Sequence, residues 1–133
     1  MKIRSFMTFE AEFPDDAEFR LGGSPLKPSG ENVANVLAQT LQRAGTAVTA
    51  PKQHSFYGWQ FYVSEGGCTF WFLLQFPGPW LLLRLDKRPI IARWLRPCGK
   101  THGAVLNKLC DALAQDVRFK DICRYTKEEY EKL

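Results

Sequence analysis

The chain is poor in the side chains that most often carry chemistry. It has two histidines, His54 and His102, and four cysteines in 133 residues. No two cysteines form a Cys-x-x-Cys pair: Cys68, Cys98, Cys110 and Cys123 stand 30, 12 and 13 positions apart. The paired spacing of a zinc site is therefore missing. No run approaches the roughly eighteen uncharged apolar residues of a membrane-spanning helix. The longest, 69–83, is broken by Pro77-Gly78-Pro79. The start, Met1-Lys2-Ile3-Arg4-Ser5-Phe6, lacks the apolar core and small-residue cleavage site of a secretory signal. These absences predict a cytoplasmic chain with no membrane partner. In that compartment the four cysteines are expected as free thiols.

Apolar and aromatic residues are plentiful. Hydrophobic residues make up 45% and aromatics 14%, enough to bury a core without crosslinks, and the length suits one α+β domain over 1–133. All four tryptophans (Trp59, Trp71, Trp80, Trp94) fall between Phe56 and Leu95. The net charge is +4, unevenly spread. Between Arg84 and Lys100, six cations (Arg84, Lys87, Arg88, Arg93, Arg96, Lys100) face one anion, Asp86, so this segment carries +5 and the remainder −1. The acidic counterpart is Glu10, Glu12, Asp15, Asp16 and Glu18. Such polarity suits a charged partner, the plain alternative being solvated loops.

Patterning sets the elements. Residues 1–13 alternate loosely and predict a strand ended by Phe13-Pro14-Asp15-Asp16, then a loop over 18–29 with Gly22-Gly23, Pro25 and Pro28. Ser29 is placed to cap a helix over 30–44, whose apolar face is Val33, Val36, Leu37, Thr40, Leu41 and Ala44 and whose stop is Gly45. In 57–64, Trp59, Phe61 and Val63 alternate with Gln60, Tyr62 and Ser64. Glu65-Gly66-Gly67 reads as a hairpin turn. Continuous apolarity from Cys68 to Phe76 predicts a central strand, and Trp80 to Leu85 the next. Residues 90–95 are open between helix and strand. Thr101 can cap a second helix through Val117, with Val105, Leu106, Leu109, Cys110, Leu113 and Val117 inward. Phe119 to Tyr125 reads as a short last strand, and 126–133 as a fraying tail or a turn of helix. The expected fold is an antiparallel sheet of four to five strands with two helices packed on one face, in β-α-β-β-β-α-β order related to the ferredoxin-like pattern.

Candidate chemical motifs fail on spacing. Gly99-Lys100-Thr101 lacks the glycine five positions earlier that a phosphate-binding loop needs; Trp94 stands there. Cys98 and His102 could share a zinc ion only if Cys110 left the apolar face of its helix. A cysteine nucleophile needs a positioned histidine base, and no local signature provides one. Asp15 and Asp16 suit turn formation better than acid–base work. Gly58-Trp59 reads as a core tryptophan beside a glycine that relieves crowding. Trp94, among Arg88, Arg93 and Arg96, is a candidate binding anchor, because Trp and Arg dominate interface hot spots. Its bland alternative is a tryptophan closing one end of the core.

The series Pro28-Ser29-Gly30-Glu31-Asn32, helix, Gly45, Gly58-Trp59, strand meander, late helix and Ile122-Cys123-Arg124-Tyr125 resembles small bacterial α+β proteins, some of them immunity or accessory proteins of toxins. The likeness spans residues 25–125. It implies a non-enzymatic binding role and assigns no functional residues. The expected function is thus a protein that binds another macromolecule, without catalysis or cofactor, by occluding a partner surface. A protein partner is favoured, and Arg88, Arg93, Trp94, Arg96 and Lys100 are the contact candidates. The alternative is a nucleic-acid-binding domain using the basic 84–100 segment.

Overall fold

The computed structural model describes residues 4–23, 25–55, 58–75, 80–86, 91 and 98–133, the side chains of Pro25, Leu85, Asp86, Lys100 and His102 excepted. It is a mixed α+β fold. In chain order the elements are β1 (Phe6–Ala11), β2 (Glu18–Phe19), β3 (Pro25–Lys27), α1 (Glu31–Arg43), β4 (Ala47–Val48), β5 (Lys52–His54), β6 (Gly58–Glu65), β7 (Cys68–Gln75), β8 (Trp80–Asp86), α2 (Gly99–Ala114), β9 (Phe119–Tyr125) and α3 (Lys127–Glu131). Among the described residues the main sheet has seven strands, in the order β4-β6-β7-β8-β1-β9 with β5 also on β6. Every described pairing is antiparallel. The sheet is therefore larger than the four to five strands expected. Two short pieces, β4 and β5, line one edge by pairing with β6. A second small sheet, β2 with β3, stands where the glycine and proline content predicted a loop.

The meander forms as its sequence dictates. Gly66 and Gly67 have φ of 60° and 78°, the left-handed pair that a two-residue hairpin turn requires, and Glu65 pairs with Cys68 across it. In β6, Trp59, Phe61 and Val63 are buried while Tyr62 is exposed, as the alternation predicts. The next strand, β7, lies between β6 and β8, and Phe70, Phe72 and Leu74 are fully buried. Gly58 is a packing necessity: a Cβ there would come within 2.6 Å of the Leu74 carbonyl oxygen.

Register places Met7, Phe9, Trp59, Phe61, Val63, Phe70, Phe72, Leu74 and Leu82 on one face of the sheet. The same hydrophobic cluster takes Val33, Leu37 and Leu41 from α1 and Val105, Leu106, Leu109 and Leu113 from α2. The first helix stops in a Schellman arrangement: Gly45, at φ 91°, donates to the Gln42 carbonyl and Thr46 to the Leu41 carbonyl.

Helix boundaries depart from expectation at three ends. The N-cap of α1 is Gly30 rather than Ser29, and that of α2 is Cys98 rather than Thr101. The second helix ends at Ala114, which leaves Val117 95% exposed instead of inward. At the C-terminus, Thr126 and Glu129 form a reciprocal capping box that starts α3, so the tail is a short helix.

Candidate binding site

Of the five contact candidates, Arg88, Arg93, Trp94 and Arg96 lie outside the described residues. Lys100 is placed by its backbone alone, in the first turn of α2. What the structure does define is the two residues between which this stretch runs. One is Asp86, the end of β8, opposite Phe70 of β7. The other is Cys98, whose sulfur is bonded to Cys68, the first residue of β7. Both anchors therefore sit at one end of the sheet.

The acidic segment departs from the other end. Phe9 of β1 pairs with Trp80 and Phe6 with Leu83, so the residues after β1 lie beyond the start of β8. Six residue steps of strand separate Trp80 from Asp86, or about 20 Å at the usual strand rise. That is more than twice the Debye length of about 8 Å at physiological ionic strength.

Most acidic side chains serve the fold. Asp16 caps α1 from fourteen residues away: one oxygen accepts the Gly30 N–H at 2.8 Å and the other the Asn32 N–H at 2.9 Å. A carboxylate beats the Ser29 hydroxyl here because it satisfies two amides at once and its charge meets the positive end of the helix dipole. Asp15 accepts the Ala17 N–H at 3.0 Å and so forms the turn expected of it. Glu18 reaches Lys27 at 3.4 Å, Lys27 reaches Glu31 at 2.9 Å, and Glu12 lies 3.9 Å from Lys120. A small cavity of about 170 Å³ opens beside the capped helix end, lined in part by Phe13, Asp16, Ser29 and Trp80.

Arg84, counted from sequence among the surface cations, is a core residue. It is 1% exposed, pairs with Phe72 in the sheet, and holds its guanidinium carbon 5.2 Å from the Phe70 ring centroid. Alternation explains this: Arg84 shares the parity of Trp80 and Leu82, so it points to the same face. That parity was readable from the sequence; the charge count ignored it. Trp59 is the core tryptophan expected, 4% exposed, with Nε1 donating to the Pro28 carbonyl at 3.2 Å.

The four-thiol expectation is corrected. Cys68 and Cys98 form a disulfide and are 3% and 5% exposed. A separation of 30 positions says nothing of distance in space, and the antiparallel meander returns both ends of the segment to the same place. Cys110 and Cys123 remain thiols. Burial pushes the Cys110 thiol up, with Arg124 opposing. Among the described residues no three His, Cys, Asp or Glu side chains gather as a metal site, and no helix is long and apolar enough to cross a membrane.

Comparison with protein-family models, curated proteins and solved structures returned no match to this chain.

Proposed function

We propose that this chain is a non-catalytic binding protein, immunity-like or adaptor in kind, that occludes a protein partner with its basic segment. The observation that supports this reading is the anchoring of that segment. Both of its ends are held at one end of the sheet, Asp86 by strand pairing and Cys98 by the bond to Cys68. Fixing both ends limits the conformations lost on binding. The cations Arg88, Arg93, Arg96 and Lys100 with Trp94 would then form the contact surface, since desolvated Trp and Arg carry most interface energy. The sequence resemblance to toxin-immunity proteins points the same way. The ferredoxin-like relation of the fold is supported by the place of β1 between β8 and β9.

A nucleic-acid partner is the second reading. One observation favours it: the acidic segment leaves β1 at the end of the sheet remote from the basic anchors, beyond the screening length, and most of its carboxylates are engaged within the fold. Repulsion of a polyanion is weakened accordingly.

One experiment separates the two. The full chain is used as bait in lysate with and without nuclease, and its binding to mixed-sequence DNA and RNA is measured at low and moderate salt. Recovery of a stoichiometric protein after nuclease, with no nucleic-acid binding, is the expected outcome. Tight binding that falls steeply with salt is the mark of phosphate contacts and would replace the first reading with the second.

A further inference from the structure

We propose that the Cys68–Cys98 disulfide is a redox latch for the first turns of α2: cleaving it unwinds residues 98–104 while the sheet and α1 stay folded. This goes beyond the binding reading and shares with it the Cys68–Cys98 bond.

The beginning of α2 is a poor helix by its own chemistry. It reads Gly99-Lys100-Thr101-His102-Gly103. Two glycines and a β-branched threonine rank low in helix propensity. The N-cap, Cys98, makes no side-chain capping hydrogen bond, and no acidic residue stands in the first turn. Packing gives little help. Among the described residues, the first α2 side chain in the hydrophobic cluster is Val105, followed by Leu106, Leu109 and Leu113. Among the described side chains ahead of Val105, Cys98 alone belongs to that cluster, and Thr101 is half-buried beside the Gly66 turn.

The other half of the latch is well held. Cys68 follows a tight turn, pairs with Glu65 and begins a central strand. Glu65 is also bonded to Lys108 at 2.5 Å, so the hairpin end stays tied to the middle of α2 without the disulfide. Cleavage therefore has a natural limit. The Lys108 turn and the leucine face remain docked, and the weak turns before Val105 lose their anchor.

The chemistry balances by thiol–disulfide exchange. A dithiol reductant attacks one sulfur through a mixed disulfide, and its second thiol then releases the protein thiol. Two electrons and two protons pass to the protein, which gains two thiols as the reductant becomes a disulfide. Both sulfurs belong to nearly buried residues, so exchange is slow until the helix start opens.

The test is backbone hydrogen exchange on the full chain, oxidised and then held in excess dithiothreitol, with bond cleavage verified as a mass gain of two hydrogens. Amides of 102–104, the first in α2 with helical acceptors, should exchange about tenfold faster or more after cleavage, a local opening, while those of α1 and β6 keep their rates. Cys68→Ser should reproduce the reduced pattern without reductant. Gly103→Ala should restore part of the protection under reducing conditions, because alanine favours helix there and its Cβ meets nothing within 4 Å. Unchanged exchange at 102–104 after verified cleavage would overturn the latch. So would acceleration along the whole chain, which would make the bond a staple of the entire fold. Four titratable thiols in protein purified with immediate thiol blocking and no reductant would overturn it as well.

Discussion

Single residues govern the two ends of this molecule. Glu129 accepts the Arg4 Nε–H at 3.1 Å and the Thr126 N–H at 2.8 Å. The Arg4 guanidinium, and then the Thr126 amide, hold its carboxyl down from 4.5 to about 2. A carboxylate with a lowered folded value stabilises above its unfolded value and loses that effect as pH falls through the folded one. The contribution of the Arg4–Glu129 pair to holding α3 should thus be full above about pH 4.5 and lost as pH falls through about 2, while the contact of Tyr130 with Phe6 persists. An NMR titration of the Glu129 side-chain carboxyl carbon checks this, and a midpoint near 4.5 would refute it. In Glu129→Gln the acid-dependent loss should vanish. Asp16 is the corresponding residue at the start of α1. Asp16→Ala leaves the Gly30 and Asn32 amides without that partner and should cost about 1–2 kcal/mol in urea unfolding. Asp16→Asn, which keeps one acceptor oxygen, should cost less. A neutral result for alanine would show that water caps α1 equally well.

At the scale of elements, the periodic segments were the legible ones. The helix from Val33 to Leu41 and the alternation of Trp59, Phe61 and Val63 are seen where the spacing put them, because burial of one face decides both patterns. The turn at Gly66-Gly67 was equally plain. Helix starts were less so. Asp16 is fourteen residues from the α1 N-cap, and local pattern reading sees only the neighbouring Ser29. Strands β2 to β5 escaped because they are two or three residues long, too short to show a period. The edge strand β9 carries an irregularity between its pairings to Thr8 and Glu10, with Asp121 at φ 55°. Such a bulge, with charged neighbours, blunts a free edge against strand addition. The interlock of α2 with the sheet is testable. Leu109 is fully buried in the cluster, so Leu109→Ala should lower unfolding free energy by about 2–5 kcal/mol. A loss below about 1 kcal/mol would place that side chain outside the packed core.

For the whole molecule, the consequential feature is that the acidic segment and the two residues bounding the basic stretch, Asp86 and Cys98, lie at opposite ends of the β1–β8 pair. If the basic segment binds a partner, Arg93→Glu with Arg96→Glu should weaken the complex and leave the unfolding midpoint unchanged. Trp94→Ala should cost about 2 kcal/mol or more of binding as a desolvated anchor. Loss of folding stability in the charge-reversed protein would make those arginines part of the fold. Unchanged binding in both variants would remove the segment from the interface. Arg84 has no place in this series, since it is a buried neighbour of Phe70 and its replacement would disturb the core.

Composition and period alone determined the α+β class, the two principal helices, the central meander and the existence of a basic segment, because these depend on residues near one another in the chain. Tertiary structure decided the rest. It showed that the basic segment is anchored at both ends at one end of the sheet and that Asp16 caps a distant helix. It joined Cys68 to Cys98. Each of these depends on which strands pair and in what register. Register is fixed by the simultaneous burial of many side chains from distant segments, and no local window of sequence contains it.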